Sequence, residues 1–103
     1  MAVFVNRMVL TGAAEEYEQV YREAGGFMEK QPGLLDYELL RSLKDTSVYW
    51  NVAEWADAAA FHRANEQAAA DETLRARFSG VSDLVQGDPH MCSVVMEGRP
   101  ERN

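Results

Sequence analysis

Residues Ala2 to Leu10 are rich in valine and phenylalanine, and this composition predicts a β-strand at the start of the chain. Apolar residues then recur at helical spacing from Ala13 to Met28, which predicts a helix. Thr11 is expected to cap that helix, and Pro32 should prevent it from continuing. The chain is therefore expected to open with a strand followed by a helix.

Two further strand patterns follow the break at Pro32 and Gly33. They run from Leu34 to Ser42 and from Ser47 to Trp55, and a short polar segment joins them. Because the connection has the length of a hairpin loop, the two strands should pair with each other in antiparallel fashion.

The remaining sequence predicts a helix in two pieces. Asp57 is placed to cap a helix that runs through Ala68, and Asp71 is placed to cap a shorter helix that ends at Gly80. The second helical region is therefore expected to be interrupted near Asp71.

The last predicted elements are a turn, a strand and a tail. Gly87–Asp88–Pro89 has the composition of a turn, and His90 to Glu97 that of a strand. Residues 98–103 are polar and are expected to form a flexible C-terminal tail. Residues 1–97 should form a single domain.

The order of these elements, β-α-β-β-α-β, is typical of one architecture. It predicts an α+β protein with a ferredoxin-like fold, in which a four-stranded antiparallel sheet carries its helices on one face. The other face should then be polar in a monomer, but the first strand offers Val3, Val5 and Val9 there, and the third offers Trp50 and Val52. Such an apolar face predicts a homodimer.

Composition and charge narrow the possible partners. The chain of 103 residues has a formal net charge of −7, which argues against nucleic acid and against an anionic membrane surface as partners. Cys92 is the single cysteine, so an internal disulfide is impossible. No apolar run approaches the length that crosses a bilayer, and a cytoplasmic protein is expected.

Candidate site residues lie on the strand that ends at Trp55. Side chains alternate along a strand, so Tyr49, Asn51, Ala53 and Trp55 share one face. An amide beside a large aromatic ring suits a cavity that orients a flat, oxygen-bearing ligand. The alternatives are that Asn51 only satisfies backbone groups and that Trp55 is only part of the core.

The sequence lacks the common motifs of metal and nucleotide sites. His62 and His90 lie far apart without CxxC or HExxH, so no metal is expected. No GxGxxG, P-loop or GxSxG motif is present either. An enzyme of this sequence is therefore expected to work without a metal or a nicotinamide cofactor.

Three segments carry a resemblance to a known family: Gln31-Pro32-Gly33 through Tyr37, the pair Arg41-Ser42, and Asn51-Val52-Ala53-Glu54-Trp55 followed by Phe61. They resemble the antibiotic biosynthesis monooxygenase family, whose members are dimeric ferredoxin-like α/β-barrel proteins. In one branch of the family, aromatic polyketides of the anthrone or naphthacenone type are oxidised to quinones by oxygen without any cofactor. The resemblance implies the same activity here, through a substrate carbanion.

The resemblance also implies roles for particular residues. Asn51, Trp55 and Arg75 match catalytic positions of that branch, although Arg75 on a solvated helix face remains an alternative. Phe61 stands where the family often has a tyrosine, so a hydroxyl is missing there. The remaining candidates for substrate binding are Tyr37, Tyr49, Asn6 and His62, and His62 is a candidate base if its helix turns it inward.

Other branches of the family leave alternatives. Haem-degrading members use an asparagine near the end of the first strand, which Asn6 matches, but no histidine lies near Leu74, where the iron ligand would fall. Haem degradation is therefore not expected. A small-quinol monooxygenase and a non-catalytic polyketide-binding or cyclase-helper protein remain alternative functions.

Overall fold

The computed structural model of the protein describes residues 1–81 and 84–101. Its elements follow the predicted order, with the second helical region in two pieces. Their bounds are β1 Ala2–Leu10, α1 Ala14–Met28, β2 Leu34–Arg41, β3 Val48–Trp55, α2 Ala58–Ala70, α3 Glu72–Val81 and β4 Val85–Ser93.

The four strands form one antiparallel sheet in the order β2-β3-β1-β4. This confirms the α+β ferredoxin-like fold. In the central pair of strands, Asn6 of β1 lies directly opposite Asn51 of β3. Opposite residues in an antiparallel pair lie on the same face of the sheet, so the two amides are neighbours.

Aspartate caps begin the two short helices, as predicted. Asp57 Oδ1 accepts the backbone N–H of Ala60 at 2.8 Å, and Asp71 Oδ1 accepts that of Leu74 at 3.0 Å. Two details of the helix ends were wrong. The N-cap of α1 is Ala13 and not Thr11, because the backbone N–H of Thr11 is bound to Leu84 O at 2.6 Å beside the sheet. In addition, α3 continues past Gly80 to Val81.

The last strand begins earlier than predicted. Gly87, Asp88 and Pro89 lie within β4, which begins at Val85 and ends at Ser93. The predicted turn is therefore wrong, and the predicted strand His90 to Glu97 is correct only as far as Ser93. Proline is tolerated in this strand because β4 lies at an edge of the sheet, where a missing backbone N–H need not break a ladder on both sides.

A glycine joins the first helix to the second strand. Gly33 adopts a φ of 94°, a conformation that residues with a Cβ rarely adopt. A Cβ at this position would also lie only 2.5 Å from the Cβ of Ala60. Gly33 therefore allows the start of β2 to approach α2 closely.

Buried side chains of the helices and of the inner face of the sheet, the face toward the helices, form two clusters. The Trp55 cluster consists of Ala53, Trp55, Ala60 and Ala64, with Phe4 and Phe61 among the half-buried residues that pack on it. The tyrosine cluster consists of Met8, Tyr17 and Tyr49, with Tyr21 and Leu39 among those that pack on it.

The segment after β4 has no regular secondary structure among residues 94–101. Val95 and Met96 are exposed there, by 93% and 87%. The flexible tail over residues 98–103 stays a prediction, and residues 102–103 lie outside the described part. None of the described helices has the length and apolar character needed to cross a bilayer.

Candidate active site

A cavity of about 700 Å³ lies between the inner face of the sheet and helices α1 and α2. Its volume falls in the range of roughly 300–1,000 Å³ that is common for small-molecule sites. Every strand and both helices contribute to its lining, which is mostly apolar and aromatic. Among the lining residues are Phe4, Asn6, Tyr21, Gly25, Tyr37, Asn51, Trp55, Phe61, His62, Asn65 and Pro89.

Six of the eight site residues named from the sequence line this cavity. They are Asn51, Trp55, Tyr37, Phe61, Asn6 and His62. Tyr49 and Arg75 are not among the described lining residues. Tyr49 is buried in the tyrosine cluster at 1% exposure, and Arg75 is exposed on α3. The position of Arg75 gives no support to its predicted catalytic role, which stays a prediction.

The amide of Asn51 is held by a tyrosine of α1. The Tyr21 hydroxyl donates to Asn51 Oδ1 at 2.5 Å, in a half-buried contact. Burial is the main reason that the pKa of Tyr21 lies well above its usual value, and the nearby Tyr37 raises it further. Tyr21 therefore stays protonated and remains a donor, which leaves the NH₂ group of Asn51 free to point elsewhere.

The amide of Asn6 is held in the same sense by the backbone of β4. Asn6 Oδ1 accepts the N–H of Asp88 at 2.9 Å. A backbone N–H can only donate, so the oxygen of the amide must face β4. Gly87 leaves the space for this contact, since a Cβ there would lie 3.1 Å from Asn6 Oδ1.

Three aromatic rings form one wall of the cavity. Phe4 and Phe61 stack with ring centroids 4.7 Å apart, and Trp55 and Phe61 pack in a T-shaped arrangement with centroids 5.7 Å apart. Trp55 is 3% exposed, and its indole N–H is buried without a hydrogen-bond partner among the described residues. Such a wall offers contact area to a flat ring system and leaves little for a polar ligand group to bind.

Two other tyrosine hydroxyls are already engaged with carboxylates. Tyr37 donates to Glu29, and this hydrogen bond is the main cause of the raised pKa of Tyr37. Tyr49 donates to Glu18 at 2.6 Å, and burial followed by this contact raises its pKa. Tyr37 and Tyr49 were named as candidates for substrate binding, but in this structure their hydroxyl groups donate to glutamates.

The cavity has little formal charge. Among its described lining residues there is no lysine, arginine, aspartate or glutamate, and His62 is the one imidazole. No group of three or more histidine, cysteine, aspartate or glutamate side chains is placed to hold a metal in the part of the chain that the structure describes. Dipoles of amide groups and tyrosines are therefore the main means of stabilising charge on a ligand.

Sequence analysis missed Tyr21 as a site residue. Tyr21 lies within the helical pattern of apolar residues from Ala13 to Met28, and its ring packs on the tyrosine cluster. The signal that was available is the hydroxyl, because a tyrosine at a core-facing position needs a hydrogen-bond partner. Its partner, Asn51, comes 30 residues later in the sequence, so spacing alone could not identify it.

Comparison with known proteins gives consistent matches. The model of the antibiotic biosynthesis monooxygenase family matches residues 1–77. A deoxynogalonate monooxygenase from Streptomyces nogalater is 39% identical over 64 residues, which are 62% of this chain and 54% of that protein. The chain therefore spans about half the length of the curated relative it matches.

Solved structures match over more of the chain. SnoaB from Streptomyces nogalater, described as a cofactor-independent oxygenase, has a TM-score of 0.83 and 29% identity, and the match covers 97% of both chains. A crystal structure described as an antibiotic biosynthesis monooxygenase has a TM-score of 0.70 and 21% identity, over 93% of this chain and 100% of the other. At that identity the second match shows the fold alone.

Proposed function

This chain belongs to the antibiotic biosynthesis monooxygenase family, and on that basis we propose that it is a cofactor-independent oxygenase of aromatic polyketide phenols. Its substrate would be an anthrone-like or naphthacenone-like phenol, and its product the corresponding quinone. The similarity to SnoaB, itself described as a cofactor-independent oxygenase, supports this activity.

One observation carries the proposal. Asn51 and Trp55 both line a single mostly apolar cavity. The aromatic wall at Trp55 suits a flat ring system. The NH₂ group of Asn51, which has no partner among the described residues, suits an oxygen on that ring system. A polar group and an aromatic wall in one cavity can together orient a phenolic substrate in a defined direction.

The reaction needs no cofactor because the substrate supplies the electrons. Loss of a proton from the ring CH₂ group gives a delocalised carbanion whose charge lies largely on oxygen. This anion passes one electron to O₂, and the substrate radical and superoxide combine to form a carbon–oxygen bond. After protonation to a hydroperoxide, loss of water breaks the O–O bond and leaves a carbonyl, so CH₂ and O₂ become C=O and H₂O.

The residues of the cavity favour the first of these steps. The Asn51 amide donates to the oxygen on which the charge develops. Trp55 and Phe61 hold the rings in place. His62 lines the cavity and is the group to which we assign the proton from the ring CH₂. Arg75 has no part in this scheme, since it is exposed outside the cavity.

Oxygen uptake tests the proposal. Purified protein, treated with a chelator and shown by its absorbance to lack flavin and haem, should consume O₂ when an anthrone such as dithranol is added. Asn51→Ala should lower the turnover number at least about tenfold, because it removes a hydrogen bond to a developing anion. Arg75→Ala, a change of an exposed residue outside the cavity, should leave turnover near that of the wild type.

Each outcome of this experiment has a distinct meaning. Saturable anthrone binding without oxygen uptake would replace the oxygenase by a polyketide-binding protein. Uptake that survives in Asn51→Ala at the wild-type rate would remove this amide from the mechanism. A loss of activity in Arg75→Ala equal to that in Asn51→Ala would restore the predicted catalytic role of Arg75.

We further propose that the protein is a homodimer that pairs through the outer face of its sheet. Val3, Val5, Trp50 and Val52 lie on this face and remain half exposed, and Leu40 is 43% exposed. The only described cation stacked on this patch is Arg7, whose guanidinium lies 5.9 Å from the Trp50 ring. A second copy would remove this apolar surface from water.

Sedimentation velocity tests the dimer. Trp50→Glu places a charge in the middle of the outer face and should shift the protein from dimer to monomer. Leu43→Glu is the matched control, since Leu43 is fully exposed in the segment between β2 and β3 and should not affect assembly. A wild-type protein that sediments as a monomer at micromolar concentration would exclude the dimer.

A further inference from the structure

All four tyrosines of the chain belong to one group of neighbouring side chains at the cavity. Tyr17, Tyr21 and Tyr37 are among the lining residues. The rings of Tyr17 and Tyr49 have centroids 5.1 Å apart, and those of Tyr17 and Tyr21 have centroids 6.3 Å apart. Tyr37 lies near enough to Tyr21 to raise the pKa of that residue. The four phenols therefore form one continuous series of neighbours.

The two inner tyrosines donate to groups that are not bases. The Tyr17 hydroxyl is bound to Met8 Sδ, and the Tyr21 hydroxyl to the amide oxygen of Asn51. A thioether and an amide accept hydrogen bonds but do not take up a proton at neutral pH. Burial also raises the pKa of both phenols well above the usual value. Tyr17 and Tyr21 can therefore pass an electron onward, but loss of their protons is unfavourable.

The two outer tyrosines donate to carboxylates. Tyr49 is bound to Glu18 Oε2 at 2.6 Å, and Tyr37 is bound to Glu29 Oε1. Glu18 is half-buried and Glu29 is exposed, so a proton taken up by either can pass to the solvent. A phenol that has lost an electron is a strong acid, and a hydrogen-bonded carboxylate can accept its proton directly. A neutral phenoxyl radical is therefore favoured at these two tyrosines.

We propose that the four tyrosines carry oxidising equivalents out of the cavity and hold them as phenoxyl radicals at Tyr37 and Tyr49, each beside its glutamate. The inference rests on the proposed function, since the one-electron steps of that reaction are the source of the oxidant. It gives the protein a second function, which is to protect its own cavity from radicals that miss their normal reaction.

The oxidant is a peroxyl radical of the substrate. It forms when superoxide leaves the cavity before it combines with the substrate radical, because a second O₂ then adds to that radical. One electron from Tyr49 reaches the peroxyl radical by way of Tyr17 and Tyr21, and the phenolic proton of Tyr49 moves to Glu18. The peroxyl radical becomes a peroxide anion, which takes a proton from water. A thiol in solution then gives the phenoxyl radical a hydrogen atom, and Glu18 releases its proton.

Trp55 is the residue that such a path protects. It lines the cavity, and its indole N–H is buried without a hydrogen-bond partner among the described residues. An oxidised indole at this position has no described base beside it, so it keeps its positive charge in apolar surroundings, which is costly. An oxidising equivalent is therefore more stable at a tyrosine bound to a glutamate than at Trp55.

Anthraquinone-2-sulfonate, a flat quinone whose excited triplet state removes an electron from phenols and indoles, serves as the probe. A laser flash on the protein–quinone complex under argon should produce a tyrosyl radical, identified by its absorbance and its EPR spectrum. Tyr37→Phe should still give the radical, because the path to Tyr49 is intact. Tyr17→Phe/Tyr37→Phe should lose it, although Tyr49 and Glu18 both remain. An unchanged radical yield in this double variant would overturn the path.

A pair of glutamine substitutions tests the proton acceptors. In Glu18→Gln/Glu29→Gln the side chains still accept the tyrosine hydrogen bonds but are no longer bases, so the radical should form at least about tenfold more slowly. The control is Glu15→Gln/Glu16→Gln, which removes two exposed carboxylates of α1 that accept no hydrogen bond from a tyrosine in the described chain. Equal rates in the two double variants would overturn the role of Glu18 and Glu29.

The same flash experiment separates this inference from the proposed function. Absence of oxygen uptake with an anthrone, together with the expected radicals, would end the oxygenase proposal and leave the tyrosine path intact. Oxygen uptake without any tyrosyl radical after the flash would support the oxygenase and overturn the path, as would failure of the wild-type protein to bind the quinone. Circular dichroism establishes that each variant is folded, and the glutamine substitutions test the path independently if Tyr17→Phe/Tyr37→Phe unfolds.

Discussion

The Trp55 cluster and the tyrosine cluster lie on the same face of the sheet, but they differ in whether their polar atoms have hydrogen-bond partners. The buried members of the Trp55 cluster are the indole ring and alanine methyls, and the buried indole N–H has no partner among the described residues. In the tyrosine cluster each hydroxyl has an acceptor: Met8 Sδ for Tyr17, Glu18 for Tyr49 and Asn51 for Tyr21.

This difference in hydrogen bonding corresponds to two requirements of a ligand site, burial of the ligand and control of its orientation. Apolar burial is favourable but has no direction, so the Trp55 end can hold a ring system without fixing its rotation. Hydrogen bonds are directional, so the tyrosine end can fix the orientation of the amide at Asn51. Asn6 and Asn51 lie opposite each other across the β1–β3 pair, on this same face. In the proposed site, affinity and orientation would therefore be supplied by different ends of one sheet face.

Trp55→Ala should have the largest effect on stability, because it removes the central ring of the Trp55 cluster. Removing a buried tryptophan leaves a cavity and should lower the free energy of unfolding by about 3–5 kcal/mol. Urea denaturation followed by circular dichroism measures this change. Leu43→Ala is the control, since Leu43 is fully exposed and should change stability little. A loss below about 1 kcal/mol in Trp55→Ala would mean that this cluster contributes little to the core.

High pH should act mainly at the tyrosine end. Burial raises the pKa values of Tyr17 and Tyr21, so both stay protonated in the folded state above pH 10, where an unfolded chain loses those protons. Their contribution to stability is therefore full below the unfolded pKa and is lost as pH rises above it. We expect the free energy of unfolding to fall by about 1 kcal/mol per pH unit in this range. This value is smaller than two fully buried tyrosines would give, because solvent screens part of the effect.

Urea titrations between pH 9 and pH 12 measure this loss, and the double variant Tyr17→Phe/Tyr21→Phe is the comparison. Its stability should depend less on pH in this range, because phenylalanine does not titrate. Parallel curves for the wild type and the double variant would assign the alkaline loss to other groups.

Tyr49→Phe should have a smaller effect that separates the hydroxyls within the tyrosine cluster. It removes a hydrogen bond to the Glu18 carboxylate and should lower the free energy of unfolding by about 1–2 kcal/mol. Tyr17→Phe should cost less, since its acceptor is a thioether sulfur, which accepts hydrogen bonds weakly. Thermal or urea unfolding of both variants gives the comparison, and the reverse order would contradict it.

Phe61→Tyr should have the smallest effect on stability. It tests whether the Trp55 cluster tolerates an added hydroxyl group. Phe61 is half-buried and lines the cavity, so an added hydroxyl can reach solvent there and needs no protein partner. The free energy of unfolding should change by less than about 1 kcal/mol. A larger loss would show that the hydroxyl is forced into the ring packing with Phe4 and Trp55.

Local patterns were sufficient to predict most of the fold. The bounds of β1, the aspartate caps of α2 and α3, and the shared face of Asn51 and Trp55 all follow from periodicity and capping chemistry. The start of β4 did not, because Gly87–Asp88–Pro89 has the composition of a turn, and only the edge position of the strand makes it acceptable there.

The site could be predicted only in part, for a related reason. The alternation of side chains along the strand correctly placed Tyr49 on the inner face. The ring of Tyr17 packs against that of Tyr49, with ring centroids 5.1 Å apart, and Tyr49 is not among the described residues that line the cavity. The link between Tyr21 and Asn51 joins a helix to a strand far away in the sequence, so it depends on tertiary packing. The catalytic role of Arg75 was inferred only from its position in the family resemblance. No local sequence pattern indicates where its side chain lies.

Pro89 in β4 has a consequence for how the sheet can grow. The N–H of Asp88 points toward β1, where Asn6 accepts it, and backbone donors of successive strand residues point to opposite sides. The missing donor of Pro89 therefore falls on the open side of the sheet, where an incoming strand from another molecule would need it. The proline interrupts the row of backbone donors along the edge strand β4. Edge-to-edge pairing with other molecules, and hence fibril formation through this edge, is therefore disfavoured.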